Sequence, residues 1–147
     1  MINNGMFTNN SNEWETPEDF FRELDSEFHF TLDPAATDKN TKCEYYYTKE
    51  ENGLLQSWKD ETVFCNPPYG KELKHWVRKC YEEHIKHNIT VVMLIPARTD
   101  TSYFHEFIYG KSEIRFLKGR LKFVTPSGCG GGTAPFPSMV VVYRSRK

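Results

Sequence analysis

One short stretch constrains this chain more than any other: an apolar run that drives straight into two prolines, Val63-Phe64-Cys65-Asn66-Pro67-Pro68-Tyr69-Gly70. Val63 to Cys65 predicts the end of a buried strand. Pro67 and Pro68 have fixed φ and no N–H group. Neither can continue a central strand or sit inside a helix. Each also pushes the residue before it out of the helical region, which makes Asn66 and Pro67 extended. The chain therefore leaves a sheet here as a stiff hook. That hook carries an amide side chain, a backbone carbonyl with no ladder partner and an aromatic ring.

Two acceptors side by side suit an exocyclic amino group, which has two hydrogens to donate. An amine on an aromatic ring is a poor nucleophile, because its lone pair is delocalised. Holding both hydrogens favours the pyramidal form that attacks an electrophile, and Tyr69 is positioned to stack on the ring. Such a site works by positioning and preset dipoles, with no metal and no covalent intermediate. Taken alone, the tetrapeptide is also compatible with an ordinary rigid turn.

Asn66-Pro67-Pro68-Tyr69 resembles the catalytic tetrapeptide of S-adenosylmethionine-dependent amino-methyltransferases acting on adenine N6. Enzymes that methylate protein glutamine amides or RNA bases also carry it. More of the chain is similar to one group, the phage-type DNA N-6-adenine methyltransferases. The matching stretches are Trp14-Glu15-Thr16-Pro17, Phe30-Thr31-Leu32-Asp33-Pro34-Ala35-Ala36, the hook, and Ile95-Pro96-Ala97-Arg98-Thr99-Asp100. Gly119-Arg120-Leu121-Lys122-Phe123 and Ala134-Pro135-Phe136-Pro137-Ser138 complete the set. Each piece is weak alone; their order is what is specific.

The resemblance implies a division of labour. Asn66, Pro67, Pro68 and Tyr69 are the expected catalytic residues. Trp14, Thr16 and Pro17 are expected against the methionine end of S-adenosylmethionine. Asp33, Pro34 and Ala35 are expected at its amino-acid part, with Asn66 nearby. Arg98, Thr99, Asp100, Lys118, Arg120 and Lys122 are the expected DNA-facing residues. The implied fold is α/β, a three-layer Rossmann-like methyltransferase domain whose mixed sheet ends in a C-terminal antiparallel hairpin. The implied reaction is methylation of a flipped adenine in DNA, in a phage or prophage protein acting in a bacterial cytoplasm.

The chain departs from the family pattern in places. No G-x-G follows Asp33, so Ala35 and Ala36 must permit close approach without glycine's freedom. An acidic residue usually precedes the Gly53-Leu54 pair, where this chain has Asn52 beside Glu50 and Glu51. Cys43 to Trp58 is short for a full methyltransferase middle, so a trimmed version is expected. Little room remains for an inserted DNA-recognition domain. Two rival readings follow: a decayed methyltransferase fold that binds DNA or a partner, and the same chemistry on RNA or a protein amide. Recognition of a DNA sequence falls to the loop Thr125–Ser138, the N-terminal arm or a second subunit of a homo-oligomer.

Composition sets the frame. A chain of 147 residues with 38% hydrophobic and 15% aromatic content predicts one ordered domain over 13–147, behind a polar arm at 1–12. The net charge of −1 announces no bulk nucleic-acid binder. The local basic run from Lys111 to Lys122, opposed by Glu113 alone, offers an edge for phosphates. No stretch is long and apolar enough to span a bilayer. The cysteines lack C-x-x-C spacing, so reduced thiols are expected and no metal site.

Local patterns give the elements. Thr16-Pro17-Glu18-Asp19 predicts a helix start capped by Thr16, with Pro17 in the first turn and Phe20, Phe21 and Leu24 inward. Phe28, Phe30 and Leu32 alternate as a strand. Glu44 to Thr48 predicts a short strand. Asn52-Gly53 predicts a turn, with Leu54, Leu55 and Trp58 packed behind it. Leu73, Trp76, Val77, Cys80 and Tyr81 recur at helical spacing. Thr90 to Ile95 predicts a strand buried on both faces. Asp100 is either a helix cap for 102–107 or a site residue. Ile114 to Leu117, Leu121 with Phe123, and Met139 to Tyr143 predict the last strands, joined through the glycine-rich loop.

Overall fold

The computed structural model of the chain describes residues 14–123 and 133–146. The expected arm at 1–12 and most of the glycine-rich loop lie outside the described residues. In chain order the elements are α1 (Glu18–Phe28), β1 (Leu32–Asp33), β2 (Tyr45–Tyr46), a 3-10 turn (Gly53–Leu55), β3 (Val63–Cys65), α2 (Leu73–His87), β4 (Val91–Pro96), a π turn (Phe104–Ile108), β5 (Glu113–Phe116) and β6 (Ser138–Tyr143). The strands form one six-stranded sheet in the order β2-β1-β3-β4-β6-β5. The four strands from β2 to β4 pair in parallel, while β6 runs antiparallel to both β4 and β5. The expected mixed sheet is therefore present, and its last two strands pair antiparallel. β6 is inserted between β4 and β5, so β5 is the edge strand.

Strand alternation sends side chains to two faces. On one face Val63, Cys65, Val91, Met93, Ile95, Met139, Val141 and Tyr143 pack against Leu73, Trp76, Val77 and Cys80 of α2 and against Phe104 and Ile108 of the π turn. On the other, Phe64, Val92, Leu94, Val140 and Val142 pack against Phe21 and Leu24 of α1. All six residues of β4 and of β6 are buried. Their near-continuous apolar runs fit strands covered on both sides. Helices thus lie on both faces of the sheet. Among the described residues no helix is long and apolar enough to cross a membrane.

The topology also gathers the polar clusters. Parallel neighbours end at the same edge, so Asp33, Asn66 and Ala97-Arg98 follow the carboxyl ends of β1, β3 and β4 along one rim. β6 enters the sheet at that rim, because Ser138 pairs with Pro96. Phe116 pairs with Met139, so β5 also ends there and delivers Leu117–Phe123. Lys122 bridges Thr133, and the Ala134 amide donates to the Leu121 carbonyl at 2.9 Å.

Several local expectations fail for identifiable reasons. Phe28 ends α1 rather than starting a strand. His29 terminates that helix in the left-handed region with φ 58°, and Asp25 takes the Phe30 amide through Oδ1 at 2.8 Å. The alternation of Phe28, Phe30 and Leu32 arises instead from Phe28 and Phe30 stacking at 5.6 Å, with Phe30 packed on Phe64. Thr16 makes no helix cap; Pro17 holds the N-cap position without a side-chain bond, and acids Glu18 and Asp19 fill the first turn as expected. Leu55 is 79% exposed, whereas Trp58 is fully buried. The segment after Asp100 is helical from Ser102 and runs into the π turn; among the described residues the Asp100 side chain accepts no hydrogen bond there, so it does not cap that segment. Leu121 and Phe123 form no strand beyond the single bridge at Lys122.

The basic edge is smaller than its composition suggests. Arg115 donates two bonds to Glu27 of α1, at 2.8 and 2.7 Å, and one to Glu113 at 2.7 Å. Arg144 reaches the same two carboxylates. Both guanidinium groups also lie over the Phe28 ring, at 5.5 and 5.1 Å. The Arg115 hydrogen bonds, helped by Arg144, pull the Glu27 carboxyl down to about 2 despite an opposing burial effect. These arginines therefore hold α1 to the sheet edge.

Candidate functional site

Asn66 sits where β3 stops and the prolines begin, half-buried between the N-terminal segment and Tyr69. Its Nδ2 donates to the Trp14 carbonyl and to Thr16 Oγ1, the latter at 2.9 Å. Its Oδ1 accepts the Tyr69 hydroxyl at 2.7 Å. The Trp14 carbonyl can only accept, so the amide nitrogen must face it, and the orientation of Asn66 is fixed. An amide oxygen has two lone pairs. Tyr69 takes one, and among the described residues no donor takes the other. No donor among the described residues reaches the Pro67 carbonyl. The two expected acceptors are thus neighbours at one strand end.

Tyr69 departs from the simple stacking platform that the sequence suggests. Its ring is only 6% exposed, edge-on to Phe136 at 5.6 Å and to Phe123 at 6.4 Å. Its hydroxyl also lies 3.1 Å from the Leu94 carbonyl. Burial pushes the phenol well above its usual range, so it remains an O–H donor. Trp14 completes the aromatic group, edge-on to Phe136 at 5.3 Å and to Phe123 at 5.6 Å.

Asp33 lies on the neighbouring strand, buried to 5% exposure. Its Oδ2 accepts the Lys42 amide at 3.1 Å and its Oδ1 the Ala35 amide at 3.4 Å. Burial raises its carboxyl to about 6, against the pull of those two amides and the Lys42 charge. Burial thus makes this carboxylate costlier to ionise, a cost that a cationic partner offsets. Pro34 is buried beside it and Ala35 half-buried.

Close approach here is supplied by a residue that local patterns mark only as a turn. A Cβ on Gly53 would fall 2.2 Å from the Pro34 carbonyl oxygen, so only glycine fits. Asn52 takes the left-handed conformation before it, with φ 58°, and its side chain accepts the Leu54 amide at 3.1 Å. Gly53 thus lets a second backbone segment pack directly on Pro34, beside the position where the G-x-G is missing. The clue was a glycine following a left-handed asparagine, which can signal tight packing as well as a bend.

The other expected site residues gather loosely. Arg98, Thr99 and Asp100 are all exposed after β4, on the same rim. The Arg98 carbonyl accepts the Thr101 hydroxyl at 2.8 Å and the Thr99 carbonyl lies 2.8 Å from His105 Nε2. Lys118, Arg120 and Lys122 are exposed, with Arg120 donating to the Ala134 carbonyl at 3.3 Å. Pro17 and Pro68 are half-buried. Among the described residues no group of three or more potential ligands is placed to hold a metal ion.

Thr16 earns a specific test as an anchor for Asn66. Thr16→Val removes one of two acceptors for Nδ2 and lets the amide tilt. The protein is expected to lose about 1 kcal/mol of stability, while Thr16→Ser keeps the wild-type value, as expected for one buried hydrogen bond. Denaturant melts of the two variants check this.

Comparison with known proteins places these features in company. A family model described as DNA N-6-adenine-methyltransferase (Dam) matches residues 5–147. A DNA N-6-adenine-methyltransferase of Escherichia phage T1 is 34% identical over 110 residues, covering 74% of this chain and 45% of that protein. One from Haemophilus phage HP1 (strain HP1c1) is 32% identical over 114 residues, covering 76% of this chain and 65% of that protein. The aligned region therefore spans less than two thirds of either relative's length.

Proposed function

The chain belongs to the DNA N-6-adenine-methyltransferase (Dam) family, and from that membership we propose that it methylates adenine N6 in DNA, acting in the cytoplasm of a bacterial host. The observation that carries the proposal is the fixed orientation of Asn66, with an oxygen lone pair that no described residue takes, next to the Pro67 carbonyl. The mixed sheet, with β6 inserted antiparallel beside a parallel centre, supports a trimmed Rossmann-like methyltransferase domain.

S-adenosylmethionine suits the neighbouring cluster. A buried carboxylate with a raised pKa matches the donor's ammonium group, and the Gly53–Pro34 contact leaves backbone, not side chains, at the wall. Asp33, Pro34 and Ala35 would hold the amino-acid end, with Trp14, Thr16 and Pro17 beside it. When bound, the donor supplies an electrophilic methyl group on a sulfonium.

The chain's own residues align the acceptor. The adenine must leave the duplex, because its amine is otherwise committed to pairing. Asn66 Oδ1 and the Pro67 carbonyl accept one amine hydrogen each and turn the nitrogen lone pair outward. Tyr69 is only 6% exposed, so a base can stack on it only if the packed Phe136 and Phe123 rings shift. The proton that the methylated nitrogen must shed would pass to solvent, so the chain needs no base with a strongly shifted pKa. Arg98, Thr99, Asp100, Lys118, Arg120 and Lys122 face the DNA, the basic ones through its phosphates.

The test is product analysis. Incubation with S-adenosylmethionine and DNA should give N6-methyladenine in digested DNA. Label on RNA or on protein amides alone would redirect the assignment. Cofactor-independent DNA binding without any transfer would favour a non-catalytic role.

A further inference from the structure

Helix α2 carries a carboxylate where its spacing calls for an apolar side chain. Leu73, Trp76, Val77 and Cys80 form the buried stripe, and Glu83 follows on it at only 5% exposure. A charge there is costly unless its partners are in place. Its Oε1 accepts the Trp58 amide at 2.6 Å, and its Oε2 lies 3.3 Å from Lys79 Nζ. Lys79 also donates to the Gln56 carbonyl at 2.6 Å and lies 5.4 Å from the centre of the Trp58 ring. His87 Nε2, at 3.6 Å, is beyond hydrogen-bond reach.

The contacts continue toward the rim. The fully buried Trp58 indole donates through Nε1 to the Gly53 carbonyl at 3.0 Å. Gly53 in turn presses on the Pro34 carbonyl, with no space even for a methyl group. Pro34 separates Asp33 from Ala35. An unbroken line of bonds and tight contact therefore links Glu83 to the segment expected to meet the donor.

We infer that Glu83 is a positioning residue for the methyl donor: it holds the Gly53–Trp58 segment against Pro34 and thereby sets donor affinity, not the rate of transfer. This rests on the proposed function. Glu83 touches neither substrate, so its loss acts through the segment that it anchors.

The test uses the full chain and S-adenosylmethionine as the probe. Glu83→Asp keeps the charge but draws the carboxylate back from the fixed Trp58 amide, while the flexible Lys79 stem can follow it. It should raise the donor Kd about tenfold, while Glu83→Gln, which can still accept that amide, stays within about threefold of wild type. The transfer rate at saturating donor should stay within about twofold for both variants. Hydrogen exchange without donor should accelerate at the Trp58 amide and indole N–H in Glu83→Asp only. The inference is overturned if wild type binds donor and Glu83→Asp binds it equally well. It is also overturned if the saturated rate falls with Kd unchanged. Failure of wild type itself to bind donor would instead remove the proposed function, and this inference with it.

Discussion

Asn66→Ala should lower methyl transfer at saturating donor and DNA by about 10²–10³-fold, the loss typical of deleting one preset polar group aimed at the reacting centre. The variant removes the Oδ1 acceptor and leaves the amine held by the Pro67 carbonyl alone. It also frees Thr16 and the Trp14 carbonyl from Nδ2. A several-fold rise in donor KM should therefore accompany the loss in rate, because that segment adjoins the expected methionine end. Asn66→Asp separates the two effects. It keeps an acceptor for the amine but sets carboxylate lone pairs against the Trp14 carbonyl, so it should retain partial transfer. Steady-state kinetics with both substrates varied will resolve the terms. Transfer within tenfold of wild type in Asn66→Ala would remove Asn66 from the chemistry.

The second large effect belongs to Asp33. Asp33→Asn should weaken donor binding by roughly tenfold to a hundredfold, the range for a hydrogen bond to a charged group. It should also remove a pH dependence. The wild-type carboxyl sits at about 6 in the folded protein because of burial. It must ionise to pair with the donor's ammonium, so donor affinity should fall about tenfold per pH unit below 6. The same profile in Asp33→Asn should be flat. Stability moves in the opposite sense. The folded pKa lies above the unfolded carboxylate value of about 3.9, so this group's contribution is complete below about 4 and is lost as pH rises to about 6. Between those values the unfolding free energy of Asp33→Asn should rise more steeply with pH than that of wild type. Binding titrations from pH 5 to 8 and denaturant melts from pH 4 to 7 provide the data. Parallel binding profiles for the two proteins would show that Asp33 does not meet the donor.

Much of this architecture is legible in local sequence because the decisive signals are short and strong. Two prolines after Val63-Phe64-Cys65 leave the backbone few choices, and that strand end and its half-buried amide are present. The apolar runs at Val91–Ile95 and Met139–Tyr143 can hardly be anything but covered strands. The failures concern features set by distant partners. Phe28, Phe30 and Leu32 alternate as a strand would, yet Asp25 and a left-handed His29 end a helix there. Composition shows Arg115 with one acid, but Glu27, 88 residues away in the chain, neutralises it from α1. Thr16 looks like a cap, and its hydroxyl is used 50 residues away by Asn66. Tyr69 appears as a free ring, but the packing of Phe123 and Phe136 turns its hydroxyl into a support for Asn66. Glu83 was detectable, as a carboxylate falling on an apolar stripe. Its partner, the Trp58 amide, was not.

The most direct measurement is a crystal structure of the protein with S-adenosylhomocysteine and a DNA duplex carrying an extrahelical adenine. The account predicts adenine N6 about 2.7–3.2 Å from both Asn66 Oδ1 and the Pro67 carbonyl oxygen, with the amino-acid end of the cofactor product at Asp33. An adenine seated elsewhere, or either oxygen turned away from the space it shares with Asp33, would contradict it.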